Sequence, residues 1–450
     1  MGLTGIQIFQ LLPKTNCKEC GVPTCLAFAM NLAAGKAELK QCPYVSEAAK
    51  QKLAADSAPP IRTVEIGTGK GAFKVGGETV LFRHEKTFVN PAGLAMLLND
   101  DEPEASVAGK LKRFKELSYE RVGLTLKGNA VAVRAAKGDK AAFGALVTKV
   151  KAETEGGIIL MAENPEVMAE GVKACADRKP LLYAATPDNA DAMIALAKET
   201  KLPLAAKASD LEKLSALTDK LAAAGVQDIV IDPGSREIKK ALHDEIHIRE
   251  LSIQKKFRQL GYPTIVLPFE MTKDPMMETV YASMLLAKYA GIVVLSDFRG
   301  HNLFTLLLER LNVYTDPQRP MKTEQKVYEI NNPGPGSPVL ATSNFSLTYF
   351  IVSGEIENSR VPTYLAVLDT EGLSVLTAWA AGKFVGDALG GFIKKSGIAD
   401  KLKSPTLVLP GAVAIISGDV EEELGSGWKV VVGPKEGAYI PAYLKQNFAQ

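Results

Sequence analysis

Histidine is scarce in this chain. Four occur in 450 residues (His84, His243, His247 and His301), and none lies beyond position 301. That excludes a His-rich metal enzyme. Cysteine is also sparse, with five in all, four of them within the first 42 residues. Such placement excludes a disulfide scaffold and leaves one compact thiolate site. Charge of one sign is missing too: 53 Lys and Arg stand against 51 Asp and Glu, a net of +2. No electrostatic footprint for nucleic acid follows. No run approaches the ~18 apolar residues of a membrane-spanning helix. The opening residues MGLTGIQIFQLLPKTNCKEC lack the charged start and sustained apolar stretch of a secretory signal. Ile6 stands where N-myristoylation needs Ser or Thr. The expectation is a cytoplasmic protein with reduced thiols and neither nucleic acid nor membrane as partner.

What is present supports folding. Apolar residues make up 46% and charged residues 23%, and the length suits two to four domains at roughly 100–200 residues each. Two proline-rich breaks divide the chain. The first is Asp56-Ser-Ala-Pro-Pro60; the second, from about Tyr314 to Pro338, holds Pro317, Pro320, Pro333, Pro335 and Pro338. Proline fixes φ and removes a donor, so such stretches cross between cores. The expected domains are 1–58, 59–318 and 339–450, with 319–338 as a linker.

The middle domain repeats strand and helix patterns. Strands are expected at Ala130–Arg134, Ile158–Met161, Leu181–Ala184, Leu202–Ala206, Ile229–Asp232, Thr264–Pro268 and Ile292–Ser296, with an eighth near Arg121–Leu126. Helical faces such as Phe143, Leu146, Val147 and Val150 lie between them. Eight such units in roughly 250 residues fit a TIM (β/α)8 barrel better than a doubly wound open sheet. Thr63–Arg83 reads as a small antiparallel hairpin or meander before the barrel. Its Gly67-x-Gly69-x-Gly71 reads as a turn, since no helix follows to hold a phosphate. Asp232, Glu270 and Asp297 end barrel strands, where many barrels keep catalytic groups; caps or interface groups are the plainer reading.

The last domain reads as a Rossmann-like α/β unit. Strands are expected at Val339–Thr342, Tyr364–Asp369, Thr406–Leu409 and Lys429–Val432, with one long helix over about Gly372–Lys395. Ligands of such parallel sheets sit at the strands' carboxyl ends. The loops there are rich in hydroxyls and glycine and nearly without charge. That suits a large, flat ligand more than a nucleotide.

The head carries Cys17-x2-Cys20-x4-Cys25-x16-Cys42, followed by Pro43, with a helix expected over about Thr24–Leu39. Four thiolates fit tetrahedral zinc or a [4Fe–4S] cube. Structural zinc usually uses two close Cys pairs, and the second half here has none, which favours the cube. Cys175 stands alone on a helical pattern and reads as a buried, inert thiol.

At this point the chain resembles a known family. Asn16-Cys-Lys-Glu-Cys-Gly-Val-Pro-Thr-Cys25 and Gln41-Cys-Pro43 are similar to the iron–sulfur head of the corrinoid iron–sulfur protein large subunit. So are the barrel and the segments Thr342–Thr348, Thr377–Gly382 and Val432–Pro434, and the likeness spans essentially the whole chain. The resemblance implies a methyl carrier of the reductive acetyl-CoA pathway, not a stand-alone catalyst. It implies a [4Fe–4S] cluster on the four Cys and a cobamide on the C-terminal domain. The methyl would come from methyltetrahydrofolate through a methyltransferase and pass to acetyl-CoA synthase/CO dehydrogenase. Implied partners are a small TIM-barrel subunit in a heterodimer, those two enzymes, and a reductive activator or ferredoxin. The cluster would return oxidised Co(II) to Co(I).

The expected corrinoid contacts come from four loops: Thr342, Asn344, Ser346 and Thr348; Thr370, Glu371, Gly372, Leu373, Ser374, Thr377 and Ala378; Gly411; and Gly433 with Pro434. Trp379 would either wall the pocket or pack in the core. Singly, each hydroxyl is as well explained as a helix cap. No Asp-x-His-x-x-Gly motif occurs, so a cobalt here would have no histidine of its own domain beneath it and would be base-off. The competing readings are an iron–sulfur barrel enzyme with a nucleotide-binding last domain, and a structural subunit with a zinc head.

Overall fold

A computed structural model describes residues 5–33, 37, 39–46, 49, 59–121, 123–316 and 321–449. The chain divides into two units. One holds 1–118 and 127–314; the other holds 119–126 and 315–450. Residues 56–58 of the first proline break and Pro317 and Pro320 of the second lie outside the described residues.

In the first unit, β1 (Val64–Ile66) and β2 (Phe73–Val75) pair antiparallel, as the hairpin reading expected. Next come β3 (Gly93–Asn99), β6 (Ala130–Arg134), β7 (Gly157–Met161) and β8 (Leu181–Ala185); β4 (Ser118–Arg121) and β5 (Leu124–Lys127), between β3 and β6 in the chain, fall almost wholly in the second unit. β8 is followed by β9 (Leu204–Lys207), β10 (Ile229–Asp232), β11 (Ile265–Val266) and β12 (Ile292–Leu295). Eight of these run parallel in the order β10-β9-β8-β7-β6-β3-β12-β11. The ring is fastened between β10 and β11 by one bridge, Ile231 to Thr264, and by Ile231 N donating to Pro263 O at 2.9 Å. The fold is a nearly closed (β/α)8 barrel.

The strands are buried on both faces, as parallel strands under helices must be. Side chains alternate between two cores. Ala95, Leu97, Ala130, Ala132, Ile159 and Ala205 fill the interior, while Leu98, Val131, Val133, Ile158 and Leu160 pack under the outer helices. The β1–β2 hairpin adds Val64, Ile66 and Val75 to the interior cluster. Phe73 lies on Gly93 and Gly157, where a Cβ would fall 2.5 and 2.7 Å from its ring. Those glycines start β3 and β7, so the hairpin plugs the amino end of the barrel. Aspartate and asparagine caps start several outer helices; Asp139, for example, accepts from Ala141 N and Ala142 N. Cys175 is fully buried, and burial pushes its thiol up to about 12.

One barrel strand differs from expectation. Arg121–Leu126 does not supply it; β4 and β5 form a separate two-stranded sheet, and β3 takes the eighth place. The Gly-Leu-Ala-Met-Leu-Leu-Asn run of β3 is built from helix-forming residues and buried at six successive positions. Burial on both faces removed the alternation that marks a strand.

The helix Ile238–Ile253 buries Glu245, which is 2% exposed. Thr264 Oγ1 donates to its Oε2 at 2.6 Å, and Oε1 has no partner. Burial raises its pKa from 4.5 to about 8. The folded state therefore holds a proton that the unfolded chain has released, and stability falls as pH rises from about 4.5 to about 8. Its contribution is full below the unfolded value and lost above the folded one. Glu245→Gln should flatten that decline, whose steepest slope is about 1.4 kcal/mol per pH unit. Urea midpoints measured from pH 5 to pH 8 test this; parallel profiles for both proteins would refute it.

The second unit contains β13 (Lys326–Ile330), β14 (Val339–Ser343), β15 (Thr363–Leu368), β16 (Thr406–Leu409) and β17 (Lys429–Val432). Their order is β13-β15-β14-β16-β17. All pairs are parallel except β13 with β15. Two expectations are corrected here. Lys326–Ile330 falls in the expected 319–338 linker yet pairs with Thr363–Val367 as an edge strand; the prolines around it hid a five-residue pattern. The expected helix over Gly372–Lys395 is two helices, Val375–Ala380 and Gly386–Lys395. They are separated at Gly382, which sits at φ +71°, a left-handed conformation that glycine takes readily.

Candidate functional site

In the head, helices Gly5–Leu11 and Cys25–Ala33 flank an irregular loop. The loop turns through left-handed residues at Lys14, Asn16, Lys18 and Gly21. Asn16 holds it to the second helix: Cys25 N donates to Asn16 Oδ1 at 2.8 Å, and Asn16 N donates to Cys25 Sγ at 3.4 Å. Cys25 and Cys42 are buried in one apolar cluster with Ile8, Phe28 and Val45, and Cys20 packs at its edge. Tyr44 donates to Glu19 Oε1 at 2.8 Å. That bond and the charge of Glu19 raise its pKa, with smaller contributions from Cys17 and Cys42. Cys20, Cys25 and Cys42 thus share one apolar cluster, while Cys17 lies on the loop before them. Among the described residues, no three Cys, His, Asp or Glu form a metal-ligand group. The donor chemistry nonetheless fits an iron–sulfur centre: soft thiolates, an apolar surround, and an N–H aimed at a sulfur. The second helix ends at Ala33; residues 34–36 and 38 of its expected continuation lie outside the described residues.

In the second unit the sheet order reverses at β14, with β15 on one side and β16 on the other. Such a switch point opens a crevice at the carboxyl ends. It measures about 910 Å3, solvent at its mouth included. Leu340, Ile351, Val352, Val408 and Ile440 line it with apolar surface, and Thr342, Thr348 and Ser374 add hydroxyls. The hydroxyls of Thr342, Ser343 and Ser346 have no hydrogen-bond partner, although these residues are at most 4% exposed. Of the three only Thr342 lines the crevice; buried polar groups are normally paired, so its orphaned hydroxyl is a donor free for a ligand there. Leu347, Ile351, Leu376, Trp379 and Ile415 are exposed apolar residues of the same carboxyl-end loops and helices.

The predicted contact residues fall into distinct groups. Thr342, Thr348, Ser374 and Pro434 line the crevice. Asn344 and Thr370 are engaged with each other. Asn344 Oδ1 accepts from Thr370 N at 3.0 Å, Thr370 Oγ1 at 3.1 Å and Gly372 N at 3.0 Å, while its Nδ2 donates to Asp369 Oδ1 at 2.7 Å. These two residues shape the 369–373 loop. Thr370 Oγ1 also lies 2.8 Å from Leu373 O, and Leu373 packs on the sheet core beside buried Ala378. Glu371 is ion-paired with Lys383. Ser374 and Thr377 share a hydroxyl contact at 2.9 Å. Gly411 and Gly433 permit close approach of the last two loops. A Cβ on Gly411 would stand 2.6 Å from Gly433 O, and one on Gly433 would stand 2.7 Å from Val408. The apolar walls at Ile351, Val352 and Ile440 were missed by sequence reasoning. The available signal was a helix, Ser346–Ser359, with apolar residues around its whole first turns.

At the barrel's carboxyl end, the three acidic residues are occupied by cations. Arg236 holds Asp232 at 2.8 Å and also pairs with Glu270; Arg134 lies 3.6 Å from Glu270; Arg113 makes a two-pronged contact with Asp297. Tyr183 donates to Asp232 at 2.5 Å, and burial, then the Asp232 charge, pushes its pKa well up. His301 is exposed.

No helix among the described residues is long and apolar enough to cross a membrane. Residues 63–444 match the family model described as CO dehydrogenase/acetyl-CoA synthase delta subunit. Residues 12–44 match one described as a putative Fe-S cluster. The corrinoid/iron-sulfur protein large subunit of Moorella thermoacetica is 46% identical over 449 residues, covering 100% of both chains. The acetyl-CoA decarbonylase/synthase complex subunit gamma of Methanopyrus kandleri is 35% identical, covering 99% of this chain and 98% of that one. Among solved structures, a dihydropteroate synthase of Vibrio fischeri is 14% identical over 52% of this chain and 98% of that one, with a TM-score of 0.38. With full-length identity at this level and a family model spanning most of its residues, the chain belongs to the CO dehydrogenase/acetyl-CoA synthase corrinoid/iron-sulfur subunit family.

Proposed function

We propose that this chain is a methyl carrier that holds a corrinoid at the carboxyl end of its second unit and a [4Fe–4S] cluster on Cys17, Cys20, Cys25 and Cys42. The observation that carries the reading is the switch-point crevice with its orphaned Thr342 hydroxyl, next to the unpaired hydroxyls of Ser343 and Ser346 in the chain. Hydroxyl donors and an apolar rim suit an amide-fringed, largely uncharged macrocycle. The relatives' names, corrinoid/iron-sulfur protein and acetyl-CoA decarbonylase/synthase subunit, agree with it.

When bound, the corrinoid supplies the methyl-accepting cobalt, and the cluster supplies single electrons to it. The chain's own residues bind and orient. Thr342 offers a hydroxyl from the end of β14 and Ser374 one from the next loop, and Asn344 fixes the 369–373 loop. No histidine of this unit is available, so none of its own histidines would ligate the cobalt, and a corrinoid held here without a strong lower donor would reach Co(I) more easily. In this role the chain takes methyl from methyltetrahydrofolate through a methyltransferase and delivers it to acetyl-CoA synthase. It works beside a small barrel subunit and a reductive activator or ferredoxin.

The barrel-enzyme alternative has less support, because Asp232, Glu270 and Asp297 are all neutralised by arginines. The absorption spectrum of protein purified without oxygen tests the proposal. Corrinoid bands on a broad iron–sulfur background are expected; a colourless protein containing zinc would overturn it.

A further inference from the structure

Two of the chain's four histidines, His243 and His247, sit one turn apart on the helix Ile238–Ile253 of the barrel unit. Both side chains are exposed. Their ring centroids lie 4.5 Å apart, with the ring planes at 86°. Neither ring has a hydrogen bond or ion pair among the described residues. The helix beneath them is held by its other face, where Ala241, Glu245, Ile248 and Arg249 are buried. Arg249 Nε donates to Val80 O at 3.1 Å, and Thr264 Oγ1 donates to Glu245 at 2.6 Å. Asp244, next to His243, pairs with Lys240 at 2.8 Å, so that ammonium is already neutralised. The backbone that carries the two rings is therefore fixed in advance, which lowers the cost of binding.

Residues four apart on a helix share one face, with Cβ atoms about 5–6 Å apart. Two imidazoles at that spacing reach a single ion, as paired helical histidines do in zinc sites. Imidazole nitrogens bind such an ion at about 2.0–2.1 Å, and two rings sharing it have centroids roughly 4.5–5 Å apart. The spacing of His243 and His247 already meets that requirement. Ring packing alone gains little here, since both rings stand in solvent. We propose that His243 and His247 form a surface site for one divalent transition-metal ion of the kind imidazole favours, such as Ni2+ or Zn2+. No third Cys, His, Asp or Glu joins them among the described residues, so water fills the remaining positions. The site shares no residue with those assigned to the cluster or the corrinoid. A bound ion ties together adjacent turns of the helix whose inner face carries Glu245 and Arg249.

The test uses Ni2+ alone, in equilibrium dialysis against the full chain purified without oxygen. Wild type should take up one more ion per chain than His243→Asn or His247→Asn; ions held by the cysteines cancel in the comparison. Either substitution should weaken the site about a hundredfold, the lower end of the gain from linking two binding groups. The double variant should lose no more than either single one, because one imidazole alone is no chelate. His301→Asn removes another exposed histidine and should change nothing. These surface changes should leave the urea midpoint at the wild-type value, which separates lost ligation from lost folding. Equal uptake by wild type and both single variants would overturn the site. So would additive losses in the double variant, or an equal loss in His301→Asn, since either would mean independent binding by single histidines.

Discussion

Cys20→Ala should abolish recovery of the protein from oxidation while leaving methyl transfer from pre-reduced protein at the wild-type rate. Cys20 lies at the edge of the head's apolar cluster, half-exposed, whereas Cys25 and Cys42 are buried within it. Removing it takes away one of four thiolates and leaves three, too few for a four-cysteine cube. Ile8, Phe28 and Ala29 pack with Cys25 and Cys42, and Cys20 touches that cluster only from its edge, so the head should keep its fold. The crevice proposed for the corrinoid belongs to the other unit of the chain, so corrinoid content should stay unchanged. Iron analysis, the visible spectrum, and methyl transfer before and after oxidation measure all three. Equal loss of both activities would mean that the cluster does something other than reductive repair.

The second large effect is expected at Asn344. One buried amide oxygen there accepts from two backbone N–H groups and one hydroxyl, and its nitrogen donates to Asp369. Asn344→Leu leaves Thr370 N and Gly372 N without acceptors in a buried loop. At about 1–3 kcal/mol for each unsatisfied group, the unit should lose roughly 3–5 kcal/mol. The 369–373 loop should lose its shape and corrinoid loading should collapse with it. Asn344→Asp is the informative companion. It keeps the acceptor but loses the donation and sets a second carboxylate against Asp369, so an intermediate loss that lessens at lower pH is expected. Urea unfolding and corrinoid absorbance read both variants. Wild-type stability and loading in Asn344→Leu would show that the network is dispensable.

Much of this molecule is legible in its sequence where one physical signal dominates. The barrel strands from Ala130 onward stand out because buried parallel strands are short apolar runs set between amphipathic helices. The cysteine site stands out because ligand spacing is a local property. Legibility fails where signals compete. Gly93–Asn99 uses leucine, alanine and methionine, which favour helices, and only its burial on both sides makes it a strand. Lys326–Ile330 is masked by neighbouring prolines. Asn344 and Thr370 read as ligand contacts because they are polar residues at a strand end, yet they satisfy each other and the loop backbone. The crevice itself cannot be read from spacing. It depends on β14 lying between β15 and β16, a neighbour relation that joins Leu340, Val408 and Ile440 across a hundred residues of chain.

The fastening of the barrel has a mechanical consequence. Seven ladders join eight strands into a ribbon, and β10 meets β11 at a single rung. A rolled ribbon parts first at its overlap, so slow breathing of the unit concentrates there. Arg236 grips Asp232 at the tip of β10 and Glu270 just beyond β11. What looks by position like a pair of catalytic acids thus works as a rivet across the seam, holding the cylinder shut at the end that the β1–β2 plug leaves open.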